Sequence, residues 1–146
     1  MNLNAFKEQH LKFITIPKVR EAQAEQVLEL ARGVAKKVDL LIVGGDLNSS
    51  PASMVYSKFL GDGLKDTQIE LKNSEDSRFH TWGNEENTWT SEEDGYRIDF
   101  LFYTPTGNKF SNIRTSMFRV LEARVQGMSI SDHMGVESNL RITFDS

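Results

Sequence analysis

The chain has 146 residues, 38% of them hydrophobic and 26% charged, a formal net charge of −4 and no cysteine. That length suits one domain with a real core, and the lack of cysteine excludes a disulfide framework or a thiolate zinc site. No apolar run approaches the roughly 20 residues of a membrane span, the polar start MNLNAFKEQH is unlike a secretory signal, and the acidic balance lacks the basic footprint of a protein gripping long duplex DNA.

Residues 1–16 carry Leu11, Phe13, Ile14 and Ile16 without a clear period, and fit either an opening strand or a lead-in. His10 reads as a surface histidine. The spacing predicts a helix over residues 18–37, entered at Pro17, with Ala24, Val27, Leu28, Ala31, Val34 and Ala35 as its apolar stripe. The run Leu40, Leu41, Ile42, Val43 predicts a strand buried on both faces. Gly44 and Gly45 then permit a sharp turn, and Asp46 and Asn48 stand at the strand's carboxyl end, where open α/β sheets place ligands. A plain Asx turn, followed by a helix capped by Ser49 or Ser50, explains the same residues locally.

That next helix is predicted to hold Pro51 in its first turn, to bury Val55, Phe59 and Leu60, and to stop at Gly61. Residues 62–95 read as loop-rich. Leu64, Asp66 and Thr67 pack at the domain edge, residues 72–76 and 92–94 are solvated, His80 and Trp82 sit in loops, and Thr88 and Trp89 form a brief strand. The segment YRIDFLFY, residues 96–103, alternates, with Tyr96, Ile98, Phe100 and Phe102 on one face and Arg97, Asp99, Leu101 and Tyr103 on the other. An acid within so aromatic a strand needs a partner. Asp99 can pair with Arg97 on its own face, or accept a hydrogen bond from a histidine. Two further strands are predicted at residues 117–125 and 136–144, the latter with Leu140, Ile142 and Phe144 on one face. The connection between them delivers Asp132 and His133 to a strand mouth.

These polar residues match what phosphodiester hydrolysis requires. Charge gathers on the phosphoryl oxygens as water attacks, and a hard cation held by oxygen ligands offsets it. Asp132 can bind such a cation, His133 can move a proton near neutral pH, and Asp99 can fix the imidazole tautomer. Asn48 can donate its amide to a phosphate oxygen, and Asp46 can orient or deprotonate the water.

GDLN at 45–48, RID at 97–99 and SDH at 131–133, in that order, resemble the motifs of the endonuclease/exonuclease/phosphatase superfamily, whose members cleave phosphate esters with a divalent metal. Within it the chain looks most similar to the magnesium-dependent neutral sphingomyelinases. Arg20, Gln23, Ala24, Lys36, Lys37 and Asp39 ahead of GDLN carry that closer match, together with Gly63, Leu64, Asp66, Asn87 and Thr88.

The resemblance implies an α/β fold, the carboxyl-terminal portion of a two-sheet α/β sandwich of the DNase I-like kind, with residues 1–146 as one partial domain. It implies Mg²⁺ as cofactor and release of phosphocholine from sphingomyelin, with a nuclease, deadenylase, phosphoinositide phosphatase or non-catalytic fragment as the alternatives. It assigns Asp46, Asn48, Asp99 and His133 to catalysis and Asp132 to the metal. The partner it implies is a phospholipid, sphingomyelin or a lysophospholipid, with peripheral membrane contact and without a strong nucleic-acid signal. The location it fits is intracellular, cytoplasmic or membrane-associated. The family domain extends further on the amino side, where it carries a metal-binding glutamate and an N-T-H strand. Residues 1–16 offer Asn2 and Asn4 there but no histidine that aligns. The expectation is therefore a chain with little or no activity alone.

Overall fold

Two aromatic residues of one strand organise the core. Phe100 and Phe102 point to the same side of their strand, with ring centroids 5.5 Å apart, and both are fully buried. The structure, a computed structural model, describes residues 3–69, 77–91 and 93–144, with side chains from residue 16 onward. Residues 72–76, Glu92 and the side chain of His10 lie outside the described residues.

The described elements run α1 (Leu3–Ala35), β1 (Leu40–Asp46), α2 (Met54–Gly61), β2 (Lys65–Asp66), β3 (Asp99–Pro105), β4 (Phe110–Leu121), β5 (Arg124–Val125), β6 (Met128–Ser129) and β7 (Gly135–Phe144). A 3-10 turn lies at Ser77–Phe79. β1, β3 and β2 form an antiparallel sheet in the order β1-β3-β2. β4 and β7 pair as a long antiparallel ribbon, and β5 and β6 as a short hairpin turning at Gln126 and Gly127, both at positive φ.

Ala24 and Leu28 of α1 and Val55, Tyr56 and Phe59 of α2 close over Phe100, Phe102 and Leu64. Phe59 stacks on Phe102 at 5.0 Å, and Tyr56 tilts against Phe100 at 5.1 Å. Each fully buried side chain of this size contributes roughly 1.5–3 kcal/mol. On the opposite face of β3, Tyr103 is also fully buried and donates its hydroxyl to the Ile113 carbonyl of β4 at 3.2 Å. β3 is therefore the strand covered on both faces, by helices on one side and by the β4–β7 ribbon on the other.

Several sequence expectations are corrected here. Among the described residues β1 is a sheet edge and runs antiparallel to β3; Leu41 is buried, but Ile42 is 58% exposed, so the two-face burial expected of this strand is not met within the chain itself. A four-residue apolar run does not reveal whether its strand lies centrally or at an edge, because neighbours along the sheet come from distant sequence. α1 begins at Leu3 and continues through Pro17 rather than starting there. Proline removes a single helical donor, and its local preference for helix starts did not prevail. Among the described side chains of α1, Ala24, Leu28 and Ala31 are buried, while Val27 and Val34 are exposed. The cap of α2 is Ser53, which accepts the Tyr56 N–H at 3.1 Å, and Tyr56 rather than Leu60 completes its inner face. Thr88 and Trp89 lie in a turn, and the strand expected at 117–125 instead runs Phe110–Leu121. No described helix is long and apolar enough to cross a membrane.

Candidate active site

Strand register builds the centre. Asp46 ends β1 and Asp99 begins β3, and the two are paired partners across the antiparallel ladder. Their carboxylates are thereby brought to one end of the sheet although 53 residues separate them (99 − 46).

Beyond Asp46 the chain turns back. Asp46 accepts the Asn48 backbone N–H on Oδ1 at 2.6 Å and the Asn48 side-chain N–H on Oδ2 at 3.0 Å. This is the Asx turn that the local sequence offers, and Asn48 adopts φ +46°, which asparagine tolerates better than most residues. The turn also fixes the Asn48 amide. One of its two side-chain N–H groups is spent on Asp46, and the other is free to serve a second acceptor.

His133 arrives from the connection between β6 and β7. Its Nδ1 lies 2.9 Å from Asp99 Oδ2. Its backbone N–H donates to Ser131 Oγ at 3.1 Å, and the segment bridges to Trp82. Burial acts to lower the His133 pKa, but the Asp99 hydrogen bond and the charges of Asp99, Asp46 and Asp132 outweigh it and raise the value above the ordinary histidine range. With Nδ1 engaged by a carboxylate, Nε2 is the ring atom left for proton transfer.

Asp46, Asp99 and His133 each bring a potential ligand atom within 4.8 Å of the others. Two carboxylates at this separation suit a hard divalent cation, which prefers oxygen donors. Asp132 is exposed and stands outside this group. Arg97 does not pair with Asp99. It turns to Asp66, Nη2 to Oδ2 at 2.6 Å, with both side chains almost fully buried. Asp66 also accepts the Tyr56 hydroxyl at 2.8 Å. Asp99 is thus left to the histidine.

Sequence reading missed the frame around His133. Asn87 Nδ2 donates to the Ser131 carbonyl at 2.9 Å, and the Trp89 indole donates to the Ser129 carbonyl at 2.7 Å. The Thr88 N–H donates to Ser129 Oγ at 2.9 Å. Trp82, expected in a loop, bridges both Tyr96 and His133, and its ring stacks on Tyr96 at 6.3 Å and 20°. Such contacts span about 40 residues and leave no local pattern to read. Beside His133 a groove of about 410 Å³ opens between Leu121, Ile130, Ser131 and Met134.

The profile of the Endonuclease/Exonuclease/phosphatase family matches residues 13–133. The chain belongs to this family. No curated protein matches it. Among solved structures it is similar to a truncated Caenorhabditis elegans TDP2, at 22% identity and a TM-score of 0.59, over 84% of this chain and 47% of that one. It is also similar to a D. rerio TDP2 humanized by 14 mutations, at 20% identity and a TM-score of 0.58, over 89% and 50%. A third is D. rerio TDP2 complexed with single strand DNA product, at 17% identity and a TM-score of 0.57, over 87% and 51%. The chain thus spans about half the length of these structures, and its α/β layers resemble part of their fold.

The expectation of a phospholipid partner without a nucleic-acid signal is corrected by these likenesses, which run to TDP2 structures, one of them holding DNA. The physical reason is that GDLN, RID and SDH encode phosphoryl chemistry common to many esters. Net charge, averaged over the chain, says nothing of a local binding surface.

Proposed function

We propose that the chain carries the proton-transfer and phosphate-orienting part of a divalent-metal-dependent phosphodiesterase that acts on a nucleic-acid phosphodiester. The convergence of Asp46, Asp99 and His133 supports this reading most directly. Asp99 accepts the His133 Nδ1 proton, holding the imidazole so that Nε2 takes or returns a proton at the reacting oxygens. Asp46 holds Asn48 so that its second amide N–H meets a phosphoryl oxygen. Asp46, whose carboxylate lies in the cluster with Asp99, is the residue proposed to hold Mg²⁺, and the exposed Asp132, outside that cluster, is the further ligand that the sequence resemblance implies. When bound, that cation supplies positive charge at the phosphoryl oxygens and lowers the pKa of an attacking water.

Two features favour a nucleic-acid ester. Trp82 and Tyr96 stack beside His133, with Tyr96 47% exposed, and aromatic surfaces of this kind accept bases without sequence preference. The groove next to His133 is large enough for a nucleotide, within the roughly 300–1,000 Å³ usual for small-molecule sites. No observation at the site favours sphingomyelin, implied by the sequence resemblance, over such an ester.

The test is cleavage of a labelled single-stranded oligonucleotide by residues 1–146 with millimolar Mg²⁺ over long incubation. Slow cleavage that stops with EDTA and in His133→Gln is expected. Equal cleavage by wild type and His133→Gln, or none by either, would overturn the proposal.

A further inference from the structure

The pair of Asp99 and His133 is closed from beneath by one side chain that no motif includes. Thr81 is fully buried. Its Oγ1 accepts two consecutive backbone amides, that of Ile98 at 3.0 Å and that of Asp99 at 3.1 Å. Its carbonyl accepts the Met134 N–H at 2.7 Å, and its own N–H donates to the Tyr96 carbonyl at 2.9 Å. Thr81 therefore touches both arms of the site, the segment entering β3 and the residue after His133. Ile98 in turn accepts the Leu47 N–H through its carbonyl at 2.8 Å, so the Asp46 turn rests on the same frame.

We infer that Thr81 is a positioning residue that sets the Asp99–His133 separation and, through it, the imidazole tautomer. The inference rests on the proposed use of His133 in proton transfer. The chemistry requires a hydroxyl here. The two amides approach from adjacent residues, and a single oxygen with two lone pairs satisfies both. A methyl group in its place leaves both donors buried without an acceptor, and the start of β3 must shift to find one. Asp99 sits at that start, and a shift of a few tenths of an ångström is enough to break a 2.9 Å hydrogen bond to a ring nitrogen. Asn87 and Trp89 steady Ser131 and Ser129 from the other side but do not reach Asp99. Among the described residues, Thr81 bonds both the backbone of Asp99 and that of Met134.

The test reads the imidazole directly. Nitrogen-15 shifts of His133 in the full chain, with its three histidines assigned by substitution, report which ring nitrogen carries the proton at a pH where the rings are neutral. Wild type and Thr81→Ser are expected to show the Nδ1-protonated form. Thr81→Val is expected to lose that preference and Thr81→Cys, with its weak acceptor, to fall between. Val55→Ala, destabilised in the helix-covered core outside the Thr81 frame, should keep the wild-type pattern. If Thr81→Val does not fold, Thr81→Cys decides. A wild-type tautomer pattern in every folded Thr81 variant overturns the inference, as does an equal loss in Val55→Ala. Oligonucleotide cleavage should fall at least tenfold in kcat in Thr81→Val with KM little changed. A chain that shows the expected tautomers but cleaves nothing counts against the proposed function and leaves the role of Thr81 standing.

Discussion

Arg97 reaches Asp66 and not Asp99, although Asp99 is two residues away on the same strand face and Asp66 is 31 residues distant. The guanidinium lies over the Phe100 ring at 4.5 Å, and the pair is nearly sealed from water. The choice frees Asp99 for His133, so a structural ion pair decides which carboxylate remains available for chemistry. Removing one member of a buried pair leaves the other charge uncompensated, at a cost of about 3–5 kcal/mol. Asp66→Asn should lose stability of that order in urea denaturation. A loss below about 1 kcal/mol would show that the pair carries little weight.

The proposed roles at the site predict large kinetic effects with small structural ones. His133→Gln and Asn48→Ala should each reduce Mg²⁺-dependent oligonucleotide cleavage by roughly 10²–10⁴-fold. Both residues are at least partly solvent-accessible, so denaturation midpoints should stay close to wild type. A variant that lost activity only in proportion to its folded fraction would argue for a structural role instead.

Tyr56 gives the protein an alkaline limit. Burial first, and then the charge of Asp66 and its hydrogen bond, push the Tyr56 phenol far above its ordinary range, against the opposing pull of Arg97. A folded-state pKa above the unfolded value contributes stability in full below about pH 10, and that contribution is lost as pH rises toward the folded value. Unfolding free energy measured between pH 8 and pH 11 should therefore fall more steeply for wild type than for Tyr56→Phe, which has no phenol to ionise. Parallel curves would refute the assignment.

Gly83 holds the strand crossing under the site. It lies at φ +66°, and a Cβ there would meet the Asp94 carbonyl oxygen at 2.6 Å and the Gly95 Cα at 2.8 Å. These are backbone atoms and cannot rotate aside. Gly83→Ala should cost at least about 1–3 kcal/mol from the backbone conformation alone. It should also move Trp82, whose carbonyl and N–H both bond Tyr96. Tryptophan fluorescence and thermal unfolding together test this. An unchanged emission maximum with unchanged stability would contradict the close packing.

The sequence by itself settled the chemical vocabulary of this protein. GDLN, RID and SDH name their groups within three or four residues, and a short motif at a strand tip is legible because its function depends on residue type and local turn geometry. The alternation of YRIDFLFY likewise marked Phe100 and Phe102 for one face and Tyr103 for the other, because a strand has a period of two whatever surrounds it. Tertiary structure decided what those groups touch. Whether Asp99 meets Arg97 or His133, whether β1 lies at an edge, and that Thr81 stands beneath the pair all depend on segments brought together over tens of residues. The resemblance to lipid enzymes expected from residues 20–48 and the structural likeness to TDP2, one example of it holding DNA, diverge for the same reason. Phosphoryl chemistry is written locally, whereas a surface such as that of Trp82 and Tyr96, to which a substrate role is proposed above, exists only once the chain has folded.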